Sequence, residues 1–161
     1  MSDYLFSQFK ANEFEAVHKE LSKVLDISQD KLQNLYEEMQ QKFELEGYTD
    51  DWRLPRNIFH SHDESFQKCY EDALLIGVDI PSLLEKNNNI SNKKTVAIVG
   101  QDPLRTSKNN ERVEEIKIAT PYALHSKSCR EKLPNTRLYF DLIKVLLDAG
   151  YRVYLTDIFK V

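Results

Sequence analysis

Glycine is scarce in this chain, with four in 161 residues. Neither a phosphate-loop nor a dinucleotide glycine pattern occurs, so nucleotide binding through a glycine-rich loop is not expected. Cysteine is scarcer still. Cys69 and Cys129 lie far apart in no metal-ligand spacing, which excludes four-cysteine zinc or iron–sulfur centres within the chain. Two free thiols in a reducing, cytoplasmic setting are the expectation. No apolar run approaches the roughly 18 residues a membrane span requires. Met1-Ser2-Asp3 lacks the basic start of a secretory leader, and no small-residue cleavage site follows an apolar stretch. Nothing in the motifs calls for a metal or another cofactor, nothing points to a membrane, and the oligomeric state is not legible.

What the chain does have is charge, unevenly spread. Residues 1–85 hold 8 Lys and Arg against 18 Asp and Glu, a net −10. Residues 86–161 hold 14 against 8, a net +6. Phosphate neutralisation needs local positive charge, so DNA is a candidate partner for the second half alone. Two halves that merely complement each other electrostatically would show the same asymmetry.

The first ninety residues read as helices. Phe6, Phe9, Val17, Leu21 and Val24 fall near one helical face, with Phe14 at its edge. Ser28 suits an N-cap, with Asp30 in the first turn. Leu32, Leu35, Met39 and Phe43 then repeat at three and four residues, and Gly47 sits where that helix would stop. A further helix fits residues 63–76, capped by Asp63 or Ser61, with Phe66, Cys69, Tyr70 and Ala73 inward and Gly77 closing it. The asparagine-rich run from Asn87 to Asn92 is unpatterned and coincides with the change of charge sign, which marks a boundary. The expected organisation is a helical N-terminal segment over residues 1–92 and an α/β domain over 93–161.

The character changes at Thr95. Thr95-Val96-Ala97-Ile98-Val99 is an uninterrupted apolar run ended by Gly100, which suits a parallel strand buried on both faces. Ile116 to Ala119 fits a short strand. Asn135 suits the cap of a helix with Leu138, Leu142 and Leu146 inward and Gly150 at its end. Tyr151 to Asp157 fits the next strand. Strand, helix, strand implies a right-handed parallel unit, and ligands bind such sheets beyond the carboxyl ends of the strands. Gly100–Leu104 and Asp157–Lys160 both fall there.

Gly100-Gln101-Asp102-Pro103 follows the first of these strands directly. Glycine allows a sharp turn and proline stiffens it. A carboxylate held there can orient a water or stabilise positive charge developing on a sugar. A plain polar strand-to-loop turn would have the same four residues.

Val96-Ala97-Ile98-Val99-Gly100-Gln101-Asp102-Pro103 resembles the first motif of uracil-DNA glycosylases, a hydrophobic strand running into Gly-Gln-Asp-Pro. Tyr154-Leu155-Thr156-Asp157-Ile158-Phe159-Lys160 resembles a second superfamily strand, which ends in Thr-Asn, two apolar residues and Lys. The resemblance covers roughly residues 95–161 and implies a parallel-sheet, uracil-DNA-glycosylase-like α/β core. Enzymes of this type flip a base out of DNA, grip its Watson–Crick edge and hydrolyse the N-glycosidic bond. The resemblance gives Asp102 the water-positioning and sugar-stabilising role, and the Gln101 backbone a contact to the base. Asp157, or Thr156 as the alternative, takes the place of the edge-reading asparagine. His125 or Tyr122, within Pro121–Ser126, is the candidate stacking group.

The departures from the family pattern carry chemistry too. Leu104-Arg105 stands where the main branch has Tyr-His, so Leu104 would line the base pocket without the tyrosine that blocks larger pyrimidines. Arg105 and Lys108 are the basic side chains expected to meet phosphate. An ionised Asp157 accepts only, where asparagine both donates and accepts, which suits either an amino-bearing edge, such as that of cytosine or a purine, or a structural partner such as an arginine. The family's later His-containing motif and last strand have no counterpart, so the glycosylase-like domain is expected to be incomplete at its C-terminus. The expected function is hydrolysis of a base–sugar bond in DNA in a complete parent protein. The alternative is a non-catalytic module on the same fold that binds a base, a nucleotide or a protein.

Overall fold

The computed structural model describes residues 4–6, 9–46, 52–60, 64–87, 93–101 and 111–157, with the backbone alone at Leu5. The architecture is mixed α/β. In chain order the elements are β1 (Tyr4–Phe6), α1 (Ala11–Leu21), α2 (Gln29–Lys42), β2 (Trp52–Pro55), α3 (Glu64–Asp72), β3 (Ile76–Asp79), β4 (Ser82–Lys86), β5 (Thr95–Gly100), β6 (Glu115–Ala119), α4 (Lys127–Lys132), α5 (Pro134–Asp148) and β7 (Arg152–Asp157). Short 3-10 turns occupy Arg56–Ile58 and Pro121–Ala123.

Local sequence sets several of these elements. The Ser28 hydroxyl accepts from the Lys31 N–H at 3.3 Å and starts α2 with Asp30 in its first turn. Leu32, Leu35, Met39 and Phe43 are all buried, as their spacing predicts. The end of this helix at Gly47 and the caps at Ser61 and Asp63 lie outside the described residues. Phe6 belongs to β1 rather than to the first helix, which begins at Ala11 with the Glu13 carboxylate accepting from the Lys10 N–H at 2.9 Å. Phe14, read from sequence as an edge residue, is buried and packs edge-on against Tyr36.

The strands form a four-stranded sheet in the order β1-β4-β7-β5 and a three-stranded sheet in the order β2-β6-β3. In the larger sheet β5 and β7 are parallel, from Thr95↔Arg152 to Gly100↔Asp157, as the strand–helix–strand pattern predicts. The other two pairings, β4 with β7 and β1 with β4, are antiparallel. Residues before position 93 are therefore not simply helical. They supply β1 and β4 to the sheet that also contains β5 and β7, and β2 and β3 to the other.

Three expectations need correction. Gly77 does not end a helix. α3 stops at Asp72, and Gly77 lies within β3, parallel to β6, where Ile76 and Val78 are buried. Phe66 and Cys69, expected inward on α3, are exposed. β5 is not buried on both faces. It stands at the sheet edge, with Thr95, Ala97 and Val99 exposed and Val96 and Ile98 half-buried.

The last helix is rotated from its expected phase. Leu138 and Leu142 are 69% and 59% exposed, while Thr136, Ile143 and Leu147 are buried and Phe140 and Leu146 pack on the core. Pro134 supplies the first turn after Leu133, so Asn135 lies inside the helix and does not cap it. Among the described residues, no helix is long and apolar enough to cross a membrane.

Candidate functional site

The carboxyl ends of β5 and β7 lie side by side because the two strands are parallel and in register up to Gly100↔Asp157. Side chains alternate along β7, so Asp157 shares its face with Val153 and Leu155, while Thr156 points to the opposite face with Tyr154. That alternation separates the two candidates for the edge-reading position. Only Asp157 stands on the Gly100 side.

Gly100 has no side chain, and the carboxylate of Asp157 uses the space. A Cβ at position 100 would overlap Asp157 Oδ1 and stand 3.4 Å from both Asp157 Cγ and the Tyr122 hydroxyl. Three chain segments thus converge on one point: the end of β5, the end of β7 and the turn after β6. Asp157 is only 6% exposed there. Gln101, one residue further on, is exposed at the strand end.

Tyr122 reaches this point from an unusual backbone. It has φ 57° and ψ 17°, and Ala123 follows with φ 53°. Two successive left-handed residues that are not glycine need support from their surroundings. The support is visible. Thr120 Oγ1 accepts from the His125 N–H at 3.1 Å and lies 3.0 Å from His125 Nδ1. The Ala123 N–H donates to the Thr120 carbonyl at 2.9 Å, and Arg130 donates to the Leu124 carbonyl at 2.7 Å. Ser126 then caps α4 by accepting from the Cys129 N–H at 3.4 Å.

The two candidate stacking residues have separate positions. His125 is fully buried, its ring 5.4 Å from that of Trp52 on β2, and forms part of the brace under the turn. Tyr122 is the one beside Gly100 and Asp157. Its ring stacks on Tyr139 of α5, with centroids 4.0 Å apart and planes 25° from parallel. Burial, then the neighbouring Tyr139 and Asp157 and a hydrogen bond to Tyr139, raise the Tyr122 phenol above its ordinary value, so it keeps its proton at neutral pH.

Tyr139 was not among the sequence candidates. It lies on α5, is 41% exposed, and meets the Tyr122 ring. Asp102, Leu104, Arg105 and Lys108 lie outside the described residues. Among the described residues, no group of three or more His, Cys, Asp or Glu side chains could hold a metal.

Chemically, the site combines a buried carboxylate, a protonated phenol and an aromatic pair at the ends of two parallel strands. No protein-family model, curated protein or solved structure matches the chain.

Proposed function

We propose that this chain is a uracil-DNA-glycosylase-like protein that receives a nucleobase at the carboxyl ends of β5 and β7. The observation that carries the reading is the meeting of Gly100, the Asp157 carboxylate and the Tyr122 hydroxyl at the ends of two parallel strands. It supports the reading because the strands of the two sequence motifs that resemble the superfamily end at Gly100 and Asp157, and these two residues are register partners. In this reading Asp157 meets the base edge, Tyr122 and Tyr139 supply aromatic surface, and the Gln101 backbone contacts the base. The parallel-sheet glycosylase-like core is part of the same proposal.

Hydrolysis is assigned to Asp102. Its carboxylate would orient a water toward the sugar carbon and stabilise positive charge on the sugar as the bond to the base breaks. Water supplies the hydroxyl that stays on the sugar, and the base leaves with its bonding electrons and is protonated. DNA would be held by the basic half, with Arg105 and Lys108 as phosphate contacts, so its affinity would fall steeply with salt.

The test is base release from single- and double-stranded oligonucleotides carrying uracil or another base at one position, with Asp102→Asn as the control. Release that depends on Asp102 is the expected result. No release from any of these substrates removes the hydrolytic reading. Binding without release supports the non-catalytic module.

A further inference from the structure

α5 has two apolar faces, and the fold uses one of them. Thr136, Ile143 and Leu147 are buried, with Phe140 and Leu146 packed on the core, where the helix rests on β4 and β7. Leu138, Leu142 and Val145 are centred roughly 150° around the helix from that buried face. They are 69%, 59% and 63% exposed. Three large apolar side chains in one row form a patch, unlike single apolar residues scattered over a surface.

The spacing says what fits the patch. Positions 138, 142 and 145, continued by exposed Ala149 at the helix end, alternate in steps of four and three. That alternation makes a coiled-coil seam, which takes the side chains of a second helix lying nearly along it. No charge interrupts the seam. Asp141 and Asp148 border one side of it, and Tyr139 and Leu146 border the other. The ion-pair partners of Asp141 on the helix, Arg137 and Lys144, stand further round from the seam.

We infer that this seam joins two copies of the chain, α5 of one against α5 of the other, about a two-fold axis parallel to the helices. A second copy brings an identical seam, so the surface is its own complement. Charge selects the parallel orientation. In a parallel pair the acidic border of one copy lies against the uncharged border of the other. In an antiparallel pair the two acidic borders face each other. The exposed parts of Leu138, Leu142, Val145, Tyr139 and Ala149 come to on the order of 400 Å² per copy, half of what each partner gives to a standard interface. Such an area suits a weak, reversible dimer, with a dissociation constant of about 1 µM or weaker.

Sedimentation velocity of the full chain from about 1 µM to about 1 mM should show a monomer–dimer equilibrium that salt leaves unchanged. Leu138→Lys and Leu142→Lys should each weaken it by about tenfold or more. Both should keep the parent's circular dichroism spectrum, because these side chains are exposed in the single chain. Val99→Lys, on the open edge of β5 and also exposed, should leave the dimer intact. With Cys69 replaced by serine and Cys129 buried, Leu138→Cys and Val145→Cys should each give a disulfide-linked dimer on mild oxidation. In a parallel pair every seam position meets its own counterpart.

A chain that stays monomeric throughout the series overturns the inference. So does a dimer that Val99→Lys breaks and Leu142→Lys does not, since the contact is then the sheet edge. Dissociation by salt assigns the contact to the opposite charges of the chain's two halves, which overturns it as well. Disulfides that form only between a Leu138→Cys copy and a Val145→Cys copy mean antiparallel helices and overturn the stated arrangement.

Discussion

The Asp157 carboxylate lies in the space that a side chain at Gly100 would fill. Replacing Gly100 by alanine forces the carboxylate or the strand end to move. Overpacking of this kind costs about 1–3 kcal/mol. Thermal denaturation should show a lowered Tm for Gly100→Ala. In Asp157→Ala the same change should cost much less, since the two residues share one space and their effects are not additive. Equal penalties in both backgrounds would mean that the two side chains do not compete.

The turn at Tyr122 and Ala123 stores conformational strain that glycine would release. A left-handed conformation costs an ordinary residue about 1–2 kcal/mol. Glycine gives back about 0.5–1 kcal/mol through the greater freedom of the unfolded chain. Ala123→Gly should therefore leave stability unchanged or raise it by up to about 1.5 kcal/mol. Ala123→Pro, whose ring forbids φ 53°, should lower it. Urea midpoints for the two variants should move apart in these directions.

Arg130 joins α4 to the end of α2 and to the turn beneath the site. It is buried, its guanidinium 3.7 Å from the Phe43 ring centroid. It donates to the Phe43 carbonyl at 2.6 Å, the Leu124 carbonyl at 2.7 Å and Glu44 at 3.2 Å. Burial lowers its pKa to about 10, which still leaves it charged at neutral pH. Arg130→Met strands two carbonyls and should cost about 2–4 kcal/mol in chemical denaturation. Lysine should recover only part, because it has neither the planar fork nor the stacking face.

Glu13 links α1 to β7 through a two-point contact with Arg152, at 3.1 and 3.0 Å. Hydrogen bonding to Arg152 is the largest cause holding the Glu13 carboxyl below its ordinary 4.5, against the opposing effect of burial. A carboxyl with a lowered folded pKa stabilises the fold fully above its unfolded value. That contribution is lost as pH falls through the folded value. Glu13→Gln should thus be less stable than the parent at neutral pH and show a shallower loss below pH 4.5. Parallel stability–pH curves for the two proteins would contradict this.

Much of the local structure was legible in the sequence. Ser28 and the Leu32–Leu35–Met39–Phe43 stripe marked α2, because capping and helical periodicity are decided within a few residues. The apolar runs ending at Gly100 and Asp157 marked β5 and β7 and put both at the ends of parallel strands. Tertiary structure decided the rest. α5 carries two apolar stripes, one with Leu138 and Leu142 and one with Ile143 and Leu147. Local pattern cannot choose between them, because burial depends on what packs there. β1 and β4 join the β5–β7 sheet through hydrogen bonds to residues far along the chain, and no local propensity encodes such a partner. The site divides the same way. Gly100 and Asp157 were visible as strand ends. Their overlap, the left-handed turn of Tyr122 and its stack on Tyr139 arise only when β5, β7, the turn after β6 and α5 are packed together.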